Sequence, residues 1–378
     1  MKRSYQICNQ CVMDTSDSQI VFDDSGVCDH CNSFHHDLKP NWHTDERGRQ
    51  ELEKIIDTIK QHGKDRDFDC IMGMSGGADS SYMLHLVVKE FGLRPLVFHV
   101  DGGWNSQIAV DNINVMISKL GLDLYTEVIN WEEMKDFQLA YFKSGVPNID
   151  VPQDHAFVAT LYNFAAKYDI KYILNGGNYS TECVRNPLDW LYYGTDMTQI
   201  NHIRKQFSTI PWKTYPFSSV LRHKIYLRYI KGVQVVKALN YRPYIKAEAM
   251  EFLRKEYGWQ PYPQKHFESR FTRFYEGYWL PKRFGYDTRK VQYSSLILTG
   301  QMTREDALAK LMQPALSDDQ VRQEFEYIAT KLGITSAELQ SYMDMPIKSH
   351  RDYPNQEWFF NMGAKIFKWL GLEKAIKR

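Results

Sequence analysis

The sequence predicts an α/β protein built on a parallel, doubly wound sheet, with an N-terminal zinc ribbon and a helical C-terminal region. Three observations carry this reading. Between residues 68 and 175, apolar runs of strand length alternate with stretches of helical period, the pattern of a sheet covered on both faces. Two Cys-x-x-Cys pairs fall within the first 31 residues. After Asn186 the alternation stops and the chain reads mostly helical. These shifts divide the chain into a metal segment (1–44), a nucleotide-binding α/β domain (45–200) and a mainly helical substrate or partner region (201–378).

In order, Cys8, Cys11, Cys28 and Cys31 form two knuckles that can close a tetrahedral site around structural Zn²⁺. Disulfides and an iron–sulfur cluster are the competing uses. Leu52, Ile55, Ile56 and Ile59 then repeat at helical spacing and predict a helix over 45–62. Strands follow at Phe68–Met74, Pro95–Asp101, Leu124–Ile129 and Lys171–Asn175. Helices are expected at Asp79–Phe91, Ser106–Leu120, Trp131–Lys143 and around Asp154–Tyr168. A basic amphipathic helix is expected over 218–240, suited to packing, a partner or an anionic lipid face.

The first strand runs into Met74-Ser75-Gly76-Gly77-Ala78-Asp79-Ser80-Ser81. Glycines let the backbone close on an anion while amides and a helix N-terminus point at it. No lysine follows, so this is not a Walker A loop. Ser-Gly-Gly-x-Asp-Ser resembles the signature of the PP-loop ATP pyrophosphatases, which hold the β,γ-pyrophosphate of ATP while the α-phosphorus is attacked. Val100 and Asp101 end the second strand where adenosine would lie. Gly176 and Gly177 follow the fourth and allow close approach of the α-phosphate. Glu182 is expected to share Mg²⁺ with Asp79. Asp150, Asp154 and His155 are candidate catalytic groups, although Asp154 can equally cap a helix and His155 can be a core histidine.

The net charge of +1 hides an asymmetry. Residues 201–300 hold 19 Lys plus Arg against 6 Asp plus Glu. Within them Lys265, His266, Arg270, Arg273, Lys282 and Arg283 interleave with aromatics, which suits an anionic, ring-containing substrate. Hydrophobic residues at 43% and charged residues at 25% match globular averages. No apolar run reaches membrane-spanning length and no signal core is apparent, so a cytoplasmic protein is expected.

Taken with His99-Val-Asp101-Gly-Gly-Trp-Asn105, Asn130-Trp-Glu132, Pro152-Gln-Asp154-His155-Ala156, Asn175-Gly-Gly and Lys265-His266-x-Glu268-Ser269-x-Phe-Thr272-Arg273, the chain resembles, nearly end to end, the N-acetyl sugar amidotransferases of bacterial surface-polysaccharide (LPS O-antigen) biosynthesis, WbpG-like and PseA-like. The resemblance implies the adenine nucleotide alpha hydrolase-like fold and an ATP-dependent conversion of an acetamido to an acetamidino group on a nucleotide-activated sugar. A UDP-linked diacetamido uronic acid is the substrate WbpG-like members imply. Cys70 and Cys183 sit in no glutaminase motif, so ammonia is expected from a separate glutaminase and barrel pair resembling that of histidine biosynthesis. No nucleic-acid partner is expected. A tRNA-thiolating PP-loop enzyme, with Cys183 as its sulfur carrier, and a regulatory zinc-ribbon nucleotide-binding module are the rival readings.

Overall fold

A computed structural model describes residues 3–369 of the 378. The four expected strands form where the apolar runs lie: β1 (Cys70–Gly73), β2 (Pro95–Asp101), β3 (Leu124–Val128) and β4 (Tyr172–Leu174). A fifth, β5 (Gln234–Val236), completes a wholly parallel sheet of order β3-β2-β1-β4-β5.

Successive side chains on a strand point to opposite faces, and the two cores divide accordingly. Ile71, Phe98, Val100 and Ile173 enter one apolar cluster. Cys70, Met72, Val97, Tyr172 and Leu174 enter the other. Burying a side chain such as Ile71 contributes about 2 kcal/mol, so each face needs its own helical cover. That cover includes helices Gln107–Leu120, Trp131–Ser144 and Val151–Lys167. Ser106 and Asn130 cap the first two by accepting from Ala109 N and Glu133 N.

From β1 the chain steps outward to β2 and β3, then crosses back to place β4 on the other side of β1. The loops after β1 and β4 therefore diverge, and a crevice opens at their carboxyl ends.

The expected helix over 218–240 is a correction. A π-type helix spans Arg222–Ile230, Gly232 turns the chain at φ +67°, and Gln234-Val-Val pairs with β4 as β5. Glycine tolerates that left-handed turn, and the β-branched valines fit a pleated surface better than a helix. The sheet thus takes its last strand from beyond residue 200.

The N-terminal segment packs as a third cluster, in which its four cysteines, Met13, Ile20 and Phe34 meet Cys183, Val184, Trp190 and Val291. Arg304 reaches back to donate to Cys8 O (2.8 Å) and Cys11 O (3.0 Å). Ser294 Oγ accepts from Val12 N, and Lys290 pairs with buried Asp14 at 2.6 Å. Among the described residues no helix is long and apolar enough to cross a membrane.

Candidate active site

The loop after β1 is held in place by its surroundings. Trp259 Nε1 and Tyr262 Oη both donate to Gly76 O, at 3.0 and 3.2 Å. Gly76 sits at φ +82°, and a Cβ there would lie 2.6 Å from Ala109 O. A Cβ on Gly77 would come within 2.1 Å of Glu268 Oε1, and one on Gly176 within 2.8 Å of Asp79 O. The glycines thus let two loops and a later carboxylate converge on one spot. Ser75 Oγ accepts from Gly77 N (3.3 Å), and Ser80 Oγ donates to Gly77 O (3.1 Å). Helix Ala78–His85 starts at Gly77 with no side chain capping its first turn, so its leading amides face the crevice as anion donors.

Two cavities meet there. The larger, about 490 Å³, is walled mostly by apolar side chains, among them Phe98, Val100, Phe157, Leu161 and Ile173, with Met74 and Asn105 at its edge. The smaller, about 260 Å³, is polar, and Ser75, Gly77, Asp79, Ser80, Gly176 and Gly177 line it with Glu182, Lys265 and His266. Both share Gly73, Ser75, Leu161, Asn175 and Glu268. The pair has the shape of a nucleotide: an apolar compartment for a base and sugar, opening onto a polar one for phosphates.

Charges in the polar cavity are paired but exchangeable. Lys265 Nζ lies 2.5 Å from Glu182 Oε1. Burial opposes ionisation of Glu182, yet the Lys265 ammonium carries its carboxyl below the usual range. Tyr244 Oη donates to Asp79 Oδ1 at 2.5 Å. Asp79 and Glu182 stand on one cavity wall and both act on Lys265, which fits a site where Mg²⁺ takes few carboxylates plus phosphate oxygens.

Beside them His266 adopts φ +66°, a left-handed conformation costing about 1–2 kcal/mol for a residue with a Cβ. The turn aims its imidazole at Glu276 (Nδ1 to Oε1 3.1 Å). Desolvation would lower its pKa, but Glu276 outweighs it and pushes it up to about 9. Asp154 is exposed to solvent and lies within the field of His266 and Glu276, and desolvation still pushes it up to about 6. Asp150, fully enclosed, is pushed well above the carboxylate range by burial and then by Asp154. Thr272 Oγ1 (2.8 Å) and Gln153 Nε2 (3.1 Å) donate to it.

Other candidate residues take structural places. His155 donates from Nδ1 to Gly194 O and accepts at Nε2 from Ser218 N, so both ring nitrogens are engaged. Asp101 folds back to accept from Gly103 N (2.7 Å) and Asn105 Nδ2. Ser81 is buried away from the cavity. Arg270 and Arg273 both turn to Glu324, Arg270 also stacking over Tyr327 at 3.4 Å. Arg283 donates to the carbonyls of Met343 and Pro346, and Lys282 is exposed to solvent. Conversely Glu268, Glu276, Lys246 and Tyr244, absent from the sequence-based site, surround it. A carboxylate beside an anion loop is not what charge matching suggests; position within Lys265-His266-x-Glu268 was the available signal.

The four cysteines close a cage. Their sulfurs all lie within 4.8 Å of one another, with Sγ–Sγ separations of 3.8 Å for Cys8 and Cys31, 3.6 Å for Cys11 and Cys28, and 3.6 Å for Cys28 and Cys31. A Zn²⁺ ion with bonds of about 2.3 Å to four tetrahedral sulfurs sets them about 3.8 Å apart. A four-iron cube would spread its thiolates wider. Cys28 N (3.2 Å), Cys11 N and Gln10 N all donate to Cys8 Sγ, as suits a thiolate. The remaining cysteines are buried, and burial pushes Cys183 up to about 12 and Cys70 beyond the thiol range.

Comparison with known proteins bears on both halves of the site. Residues 69–169 match the phosphoadenosine phosphosulfate reductase domain. Residues 268–367 match the C-terminal domain of LPS biosynthesis protein WbpG-like sequences. A PP-loop domain and a WbpG-like domain share this chain. The two matches support an ATP-utilising enzyme with a PP-loop domain. The WbpG-like domain begins at Glu268 itself, and Glu268, Ser269, Thr272 and Glu276 are the residues it contributes around the nucleotide cavities.

No curated protein matches. Among solved structures, the NH3-dependent NAD synthetase from Campylobacter jejuni in complex with the nitrate ion is similar at 13% identity and TM-score 0.29, over 80% of this chain and 98% of that one. NMN synthetase from Francisella tularensis matches at 12% and 0.32, over 80% and 99%. The U34-tRNA thiolase NcsA from Methanococcus maripaludis with its [4Fe-4S] cluster matches at 11% and 0.35, over 86% and 89%. Likenesses this distant decide nothing about the reaction.

Proposed function

We propose that this enzyme converts an acetamido group of a nucleotide-activated sugar, in the first instance a UDP-linked diacetamido uronic acid, into an acetamidino group. ATP would be split to AMP and pyrophosphate, as a step of LPS O-antigen biosynthesis. The observation that carries the reading is the composite site: the first residues of the WbpG-like domain stand in the wall of the PP-loop nucleotide cavities.

An amide oxygen is a poor leaving group, so it must be activated before a nitrogen can replace it. The acetamido oxygen attacks the α-phosphorus, the bond to the bridging oxygen breaks, and pyrophosphate departs. The Ser75–Ala78 amides, Lys265 and cationic His266 receive its growing charge. Mg²⁺, held by Asp79 and Glu182, would supply further neutralisation of phosphate oxygens. Ammonia then adds at the imidate carbon, and AMP leaves with the former amide oxygen. Asp154, exposed to solvent beside the His266–Glu276 pair and ionised above about 6, would take the proton that ammonia loses. Zn²⁺ in the cysteine cage would be structural, since four sulfurs leave no open position.

Ammonia would come from a separate glutaminase and barrel pair. Neither Cys70 nor Cys183 offers an accessible thiolate for glutamine hydrolysis, or for the sulfur transfer that a tRNA-thiolating enzyme needs. Mass spectrometry of UDP- and CMP-linked acetamido sugars incubated with enzyme, ATP and ammonium tests the proposal. The expected product is lighter by the difference between O and NH, and Asp79→Ala abolishes sugar-dependent pyrophosphate release. Full release by that variant, or glutamine serving as well as ammonium, would overturn the assignment and the partner respectively.

A further inference from the structure

A third cavity, about 230 Å³, lies beside the phosphate pocket and shares Ala78, Lys246, Lys265 and Glu268 with it. Its outer rim carries exposed Pro263 and Lys310, so it runs from the flank of the loop to the surface. We propose that this cavity is a side passage that binds inorganic pyrophosphate and conducts it out of the site, an inference that rests on the α,β-cleavage of ATP proposed above.

Charge is the first support. Lys246, Lys265 and Lys310 face the cavity against a single carboxylate, Glu268. Lys310 and Lys246 make no ion pair within 4 Å among the described residues; Lys246 acts on Glu268 from farther off, so both ammonium groups remain open to a guest. Size is the second. The volume falls below the roughly 300 Å³ at which pockets for drug-sized ligands begin, too tight for a nucleotide and roomy for pyrophosphate.

The wall is braced on the loop itself. Trp259 and Tyr262, which line the passage, are the two side chains that donate to Gly76 O. Lys265 stands at the junction, paired with Glu182 at 2.5 Å, and can exchange that carboxylate for a departing phosphate. The order of events supplies the need. Once the sugar is adenylylated, the intermediate fills the cleft above the loop while ammonia must still arrive, so pyrophosphate leaves most easily by another side.

The test uses the metal-loaded full chain titrated with inorganic pyrophosphate by calorimetry. Lys310→Glu, on the exposed rim, is expected to weaken pyrophosphate binding about fivefold or more and to flatten its salt dependence, since exposed charges act through a screened field. Binding of a non-hydrolysable ATP analogue should change less than about twofold, because Lys310 lines neither nucleotide cavity. Met302→Trp, which narrows the passage, should make pyrophosphate release lag behind AMP-sugar formation in rapid-mixing assays.

Unchanged pyrophosphate affinity in Lys310→Glu overturns the passage, as does an equal loss for pyrophosphate and the ATP analogue. Absence of sugar-dependent pyrophosphate from the wild-type enzyme would overturn the proposed function instead, and the binding titration would still judge the cavity.

Discussion

Two adjacent stretches of one basic, aromatic-rich block behave in opposite ways. Residues 265–268 form a turn from which Lys265, His266 and Glu268 line the phosphate pocket, whereas residues 270–283 are helical and their three arginines are spent on protein partners. Lys265 shares a half-open carboxylate, Glu182, with the cavity. Arg270 and Arg273 converge on Glu324, which is 1% exposed, and thereby clamp helix Arg270–Phe274 to helix Asp318–Leu332. A cation whose partner is sealed away is structural; one whose partner borders a cavity can trade it for a ligand. Composition does not distinguish the two, and only the partner's burial does.

The largest expected effect tests the structural half. Arg273→Ala leaves buried Glu324 with one partner fewer and should cost about 3 kcal/mol in urea unfolding. The comparison breaks if stability holds within about 1 kcal/mol while sugar turnover collapses, because the arginine would then face substrate. On the other side, Lys265→Ala should lower kcat/KM for ATP about 100-fold, near 2.7 kcal/mol, with little change in unfolding. A purely structural lysine would give the reverse pattern.

The pH profile of kcat/KM sharpens the contrast further. Asp154 accepts a proton only when ionised, so activity should rise as pH climbs through about 6. His266 is cationic below about 9 and loses its charge above it, so phosphate binding and activity should fall there. Asp154→Asn should erase the first limb and His266→Gln the second; a profile keeping both limbs in both variants would remove these residues from the chemistry. The smallest effect concerns Glu268. Burial raises its pKa, and its charge opposes the phosphates, so Glu268→Gln should tighten ATP-analogue binding about threefold. Weaker binding in the presence of Mg²⁺ would instead assign this carboxylate to the ion.

Much of the framework was legible before the structure. β2 forms over the expected residues and β1, β3 and β4 within a residue or two of them, because the apolar runs and their flanking glycines determine where strands stop. The phosphate loop and the Gly176-Gly177 turn were equally plain, since only glycine permits such close approach. β5 was hidden inside a run whose apolar spacing suits a helix, and Gly232 alone marked the break. In the site, residue type was readable but direction was not. Arg270, Arg273 and Arg283 looked like Lys265, and His155 looked like a proton carrier until both its nitrogens met backbone partners.

The attachment of the cysteine ribbon has a consequence for the order in which the chain becomes active. Val12 bonds to Ser294 and Cys8 to Arg304, contacts 282 and 296 residues apart. The same cluster holds Cys183, next to Glu182 in the phosphate pocket. On the ribosome, β1 to β4 can pair as they emerge, but the first forty residues must wait for the last quarter of the protein before they can dock. The loops after β1 and β4 can therefore be shaped early, while Lys265, His266 and Glu268 complete the cavity later and the buttress behind Glu182 is among the last parts to be set.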